Sequence, residues 1–137
     1  MRDKPNVGVF GIGLAAYWPQ FSGLKERLQG YQRRVEERIG SWAAVVSAGL
    51  VDDAQSARRA GETFGRSDLD LIFCYVGTYA TSSQVLPVIQ HLRARTVILN
   101  LQPSAALDYA RTGTGEWLAN CCACCVPEIA GAFTRAG

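Results

Sequence analysis

Four short apolar runs, each followed by a stretch of different periodicity, constrain this chain more than any other feature. NVGVFGI at residues 6–12, WAAVVSAGL at 42–50, LDLIFCYV at 69–76 and TVILNL at 96–101 lack the alternation of a half-exposed strand. Between the first two, Leu24, Leu28, Tyr31, Val35 and Ile39 recur every three or four residues across 21–39. Lys25, Glu26, Arg33, Arg34, Glu36 and Glu37 occupy the other side. Ser22 is placed to cap this helix and Gly40 to stop it. Asp52 is placed to cap a second helix that reaches about residue 64 and ends at Gly65. Thr81 or Ser82 opens a third through Val85, Leu86, Ile89 and Leu92. The last helical material spans 115–135, with a break expected at Pro127. Buried strands that alternate with amphipathic helices predict an α/β fold, a doubly wound parallel sheet in three layers. The expected strand order is 2-1-3-4, flavodoxin- or Rossmann-like.

Composition narrows the function classes. Twelve acidic residues face fourteen basic ones, a net charge of +2, and no basic run is interleaved with aromatics, so nucleic acid is not an expected partner. No apolar run approaches the length of a membrane span. MRDKPN leads directly into the first strand pattern instead of a signal peptide, so the expectation is a cytoplasmic protein with reduced cysteines.

In an open α/β sheet, ligands sit beyond the carboxyl ends of the strands, where the winding reverses between strands 1 and 3. This selects the segments 13–20, 49–53, 77–83 and 100–104. Gly11-Ile-Gly13-Leu-Ala-Ala16 fits G-x-G-x-x-A after a strand, but Tyr17-Trp18-Pro19 follows where the fingerprint needs a helix. The acid expected at the end of the second strand is also missing from Ser47-Ala-Gly-Leu50, so the glycines read as a tight turn. Tyr17 and Trp18 suit the face of a sugar or another ring, or else cover the end of the core. Thr78, Thr81, Ser82 and Ser83 offer hydroxyls for a polyol or anion, or serve as a helix cap; Asn100 and Gln102 offer amides, or fix their loop. His91 is the lone histidine and reads as a solvated residue at a helix end.

Cys121, Cys122, Cys124 and Cys125 fall within five positions. Zinc sites draw ligand pairs from separate segments, and on a helix only one of the pairs Cys121/Cys124 and Cys122/Cys125 could face an ion. Sulfur used as small buried packing in a helix is the reading the spacing favours.

The strings TGEWLANCCACCVPEIAGAF at 114–133, GLAAYWPQF at 13–21 and NLQPSAALDY at 100–109 resemble the L-fucose/L-arabinose isomerase superfamily. Members interconvert aldoses and ketoses with a divalent metal, usually manganese, whose acidic and histidine ligands lie in later domains. The resemblance implies that residues 1–137 form one N-terminal domain without its last strand and without those catalytic domains. Such a domain has no cofactor of its own, is inactive alone, and belongs to a homo-oligomer in which sugar is shared with a neighbouring subunit. Carried over residue by residue, the resemblance places sugar recognition at Tyr17, Trp18 and Gln20, at Thr78 and Tyr79, and at Gln102. The alternative is a free-standing flavodoxin-like module for a nucleotide or phosphate ligand.

Overall fold

The computed structural model describes residues 3–137. Four parallel strands, β1 (Asn6–Ile12), β2 (Ala44–Val51), β3 (Leu71–Val76) and β4 (Arg95–Leu99), form one sheet in the order β2-β1-β3-β4. This is the expected doubly wound α/β architecture.

Helix α1 (Leu24–Gly40) covers one face, packing Ile39 and Val35 against Val7, Val9 and Phe73. Helices α2 (Ala54–Gly65), α3 (Ser82–Val85) and α5 (Val126–Ala136) cover the other. Their Ala57, Ala60, Phe64, Val85 and Ile129 meet Phe10, Ile12, Ile72, Cys74 and Val76. Burying a side chain such as Phe64 or Ile129 stabilises by about 1.5–3 kcal/mol. Short α4 (Thr114–Leu118) lies beside the start of α1, with Leu118 and Ala119 against Leu24 and Leu28.

The lack of alternation holds for β1 and for the last three residues of β3. β1 is buried at every position after Asn6, whereas edge strands β2 and β4 alternate because one side meets solvent. A bulge shifts the β1–β2 register between Val9 and Phe10, where Ser47 and then Gly49 are the partners. Gly49 carries it at φ 71°, a left-handed conformation costly for other residues. Past the bulge Val51 is buried opposite Ile12, and the chain delivers Asp52 directly off the strand.

Several helix ends differ from expectation. Ser22 does not cap α1: a 3₁₀ turn at Ala15–Tyr17 and two further turns carry the chain to Gly23, the N-cap at φ 77°. Asp53, not Asp52, caps α2, its carboxylate accepting from the Ser56 N–H at 2.6 Å while the Ser56 hydroxyl accepts from the Asp53 N–H. Such a capping box contributes about 1 kcal/mol. The third helix does not reach Leu92; α3 gives way to a 3₁₀ turn at Leu86–Val88, because Pro87 has no N–H to continue it. His91 therefore lies in an exposed turn. The break in the last helical material falls at 119–125, and Pro127 begins α5 at a position where its missing N–H costs nothing.

Candidate functional site

The carboxyl end of the sheet is closed by the loops after β1, β2 and β3 and by the segment between α4 and α5. After β1, Gly13 donates to the Val51 carbonyl and Ala15 to that of Asp52, each at 3.0 Å, which ties the first loop to the second. The Ala15–Tyr17 turn then raises an aromatic cluster: Tyr17 meets Trp18 edge-on at 6.5 Å and Phe21 at 6.2 Å. These rings and Tyr31 pack against Leu24, Leu28, Leu118 and Ala119, so they do cover the end of the core.

Asp52 organises this end, a role its expected place as a helix cap does not reveal. It is 8% exposed. One carboxylate oxygen accepts from the Trp18 indole N–H and from the Lys25 ammonium, each at 2.8 Å; the other accepts from the Ser56 hydroxyl at 3.3 Å. Its backbone carbonyl also accepts from the Gln84 amide at 2.9 Å, which fastens the start of α3 to the same point. Lys25 in turn lies 5.7 Å from the centre of the Trp18 ring. The signal available beforehand was position: an acid directly behind a strand. The expected strand ends at Leu50, one residue before β2 itself ends at Val51, which hides this position. Such an acid is where a dinucleotide fold places its ribose ligand, yet here its oxygens hold the indole and Lys25. α1 also begins only at Leu24, behind the 3₁₀ turn, so its first amides do not follow the Gly13 turn.

Thr78 follows β3 and is fully buried, with its N–H on the Ile12 carbonyl at 3.3 Å. Its hydroxyl has no hydrogen-bond partner among the described residues. The Thr78 methyl would lie 3.5 Å from a β-carbon placed on Gly13, and the Trp18 ring 3.0 Å from that same point, so the two loops nearly touch there. Tyr17 is half-buried, and burial first, then Tyr79 and Cys125, push its hydroxyl pKa upward. Tyr79 packs on the core beside Ala80. Glu128 of α5 accepts from the Ser82 N–H at 2.7 Å, and that bond, the Ser82 hydroxyl and the Tyr79 hydroxyl hold its pKa below the carboxylate range.

Of the six candidate positions, Tyr17, Trp18, Thr78 and Tyr79 converge on the junction of the β1 and β3 loops. Gln20 is exposed and turns its amide back to the Ala16 carbonyl at 2.6 Å. Gln102 is exposed in the 100–113 segment beyond β4, with Asn100 exposed beside it. The hydroxyls of Thr81 and Ser83 are 3.2 Å apart, and Thr81 donates to Gln84 at 3.1 Å. α4 is fixed separately: Arg27 grips Glu116 at 2.5 and 2.9 Å.

The cysteine segment departs from expectation. Residues 121–125 lie between helices, and Cys121 is joined to Cys124 by a disulfide, so the chain does not carry five free thiols. Cys74, Cys122 and Cys125 are free and buried. The i, i+3 spacing that puts two side chains on one helical face also suits a tight loop, which is why sequence alone did not separate the two.

Among the described residues, no group of three or more His, Cys, Asp or Glu could hold a metal ion. His91 shares a cavity wall with Asp68 and Leu69 at the amino end of β3, the opposite end from Thr78. No helix among them is long and apolar enough to cross a membrane. In comparison with known proteins, no family model and no curated protein matches the chain.

Proposed function

We propose that this domain recognises a sugar at the junction of the β1 and β3 loops and acts as the N-terminal recognition and assembly domain of a metal-dependent aldose–ketose isomerase of the L-fucose/L-arabinose type. The observation that carries the reading is the Thr78 hydroxyl: wholly buried and without a partner among the described residues, on a side chain whose methyl lies by Gly13, as the Trp18 ring does. An unsatisfied buried hydroxyl costs roughly 1–3 kcal/mol, a cost a polyol could relieve by donating or accepting there once the β1 and β3 loops part to admit it. Ring faces beside hydroxyl groups suit the two sides of a sugar, one apolar and one polar.

Aldose–ketose interconversion needs a base and a group that stabilises the enediolate or carries the hydride, supplied in this reading by other domains. The chain by itself should bind and not turn over. Titration calorimetry against pentoses and 6-deoxyhexoses should show weak saturable binding that Thr78→Val reduces, while Thr78→Val leaves the unfolding midpoint unchanged or raises it. Incubation with manganese and the same sugars should yield no ketose. Binding untouched by Thr78→Val, or binding of a nucleotide or inorganic phosphate in place of sugars, would overturn the reading. So would turnover that survives repurification.

A further inference from the structure

The Cys125 thiol donates to the Thr78 carbonyl at 3.9 Å, but the neighbouring Cys121 and Cys124 take no part in the proposed sugar site, and their sulfurs are arranged unequally. Cys121 and Cys124, with Cα atoms 6.1 Å apart, form the disulfide that spans the turn between α4 and α5. Cys121 is 6% exposed, whereas Cys124 is open to solvent. Disulfide exchange requires in-line approach of a thiolate to one sulfur, so exposure directs attack to Cys124 and leaves Cys121 as the leaving group.

The bridge closes a very short loop, and the stabilisation from restricting the unfolded chain is smallest for such loops. The turn has other support. Asn120 and Cys121 donate to the Trp117 and Leu118 carbonyls at 3.0 and 3.2 Å, and Val126 donates to that of Ala123 at 3.1 Å. Cys125 and Ile129 anchor the far side in the core. Opening the bridge therefore leaves these contacts in place. Cys124 also directly precedes Cys125, the N-cap of the eleven-residue α5, where the positive end of the helix favours a thiolate. Cys122 and Cys125 are spectators: both are buried, and burial raises their thiol pKa values and keeps them protonated.

We infer that Cys121–Cys124 is a thiol–disulfide exchange site for low-molecular-weight thiols, with Cys124 the attacked sulfur and Cys121 the leaving and resolving sulfur. In the first step an incoming thiolate bonds to the Cys124 sulfur, the protein S–S bond breaks, and its electron pair leaves on Cys121, which takes a proton. In the second, another thiolate attacks the incoming sulfur of the mixed disulfide and releases Cys124 as thiolate. The net change is two thiols oxidised to one disulfide and the protein bridge reduced to two thiols.

The test uses the full chain and glutathione. Alkylation of unreduced, unfolded protein should label Cys74, Cys122 and Cys125 only. Native protein equilibrated with reduced and oxidised glutathione should show Cys121 and Cys124 becoming alkylatable together as the mixture turns reducing, with unchanged circular dichroism. Cys121→Ser should trap a glutathione adduct on Cys124, about tenfold or more over any other cysteine, because thiolate exposure governs the rate. Cys124→Ser should leave Cys121 without an adduct. Should the variants fail to fold, peptide mapping of the wild-type mixed disulfide decides by the same criterion. Labelling of all five cysteines before reduction would overturn the inference, as would a bridge that opens only in denaturant or an adduct on Cys122 or Cys125.

Discussion

Replacing Asp52 by alanine should loosen the carboxyl end of the sheet and cost the fold about 2–4 kcal/mol, the sum of two unequal losses. The larger is the indole hydrogen bond: a carboxylate accepting from Trp18 at 2.8 Å within a mostly buried site is worth about 1.5–3 kcal/mol, and its removal strands a donor. The smaller is the Lys25 ion pair; the lysine side chain is 38% exposed, so solvent screening holds the pair to about 1 kcal/mol or less. Ser56 adds little, since its hydroxyl also serves the Asp53 N–H. At this chain length the whole loss corresponds to a melting-temperature drop on the order of 10 °C. Urea unfolding followed by circular dichroism measures it, and a double-mutant cycle separates the parts. Trp18→Phe keeps the ring and deletes the donor, so Asp52/Trp18 coupling should exceed Asp52/Lys25 coupling. A cost for Asp52→Ala below about 1 kcal/mol would refute the assignment of Asp52 as the organising residue, since a stranded donor costs more. A Lys25 coupling larger than that of Trp18 would refute the ranking.

Gly61→Ala should destabilise by about 1–3 kcal/mol, because its β-carbon would lie 2.8 Å from the Pro87 carbonyl and 3.3 Å from that of Val88, both backbone atoms; a neutral melting temperature would show that α2 and the 86–88 turn separate freely. Acid should weaken the fold modestly through Asp53, Glu116 and Glu128, whose folded pKa values lie below the ordinary 3.8 for Asp and 4.5 for Glu, owing chiefly to the Ser56 N–H, Arg27 and the Ser82 N–H respectively. A depressed carboxylate stabilises above its unfolded pKa and loses that contribution as pH falls through the folded value, so the urea midpoint should be level near neutrality and fall below about pH 4.5. Glu128→Gln should flatten part of that fall, and a midpoint that rises on acidification would contradict the assignment. The proposed assembly role predicts self-association through the β4 edge, where Val97 is 40% exposed and the adjoining Leu101 47%. Val97→Lys is the suitable probe, because Ile98 packs into the core; sedimentation giving the mass of one chain at high micromolar concentration would sink the prediction.

The sequence by itself determined the sheet. Residues 6–12 could only be a strand buried on both faces, and the alternation of such runs with amphipathic helices left a doubly wound order of 2-1-3-4. Hydrophobic periodicity is local information, and burial turns it into architecture. It also located the loops where Tyr17, Trp18, Thr78 and Tyr79 meet, since topology assigns the ligand end before any side chain is placed. What tertiary structure decided was the fate of individual polar groups. Asp52 and Asp53 are equivalent capping residues in the sequence; the bulge at Gly49 sets which one ends the strand, so one caps α2 and the other holds Trp18 and Lys25. Thr78 reads as an ordinary loop hydroxyl until the crossing of the β1 and β3 loops buries it without a partner. Cys121 and Cys124 are spaced for a helix face or a bridged turn alike, and the packing of α4 against α1 and of α5 against the sheet places them in a turn. In each case the outcome depends on a neighbour distant along the chain, and a one-dimensional pattern carries no record of which neighbour that is.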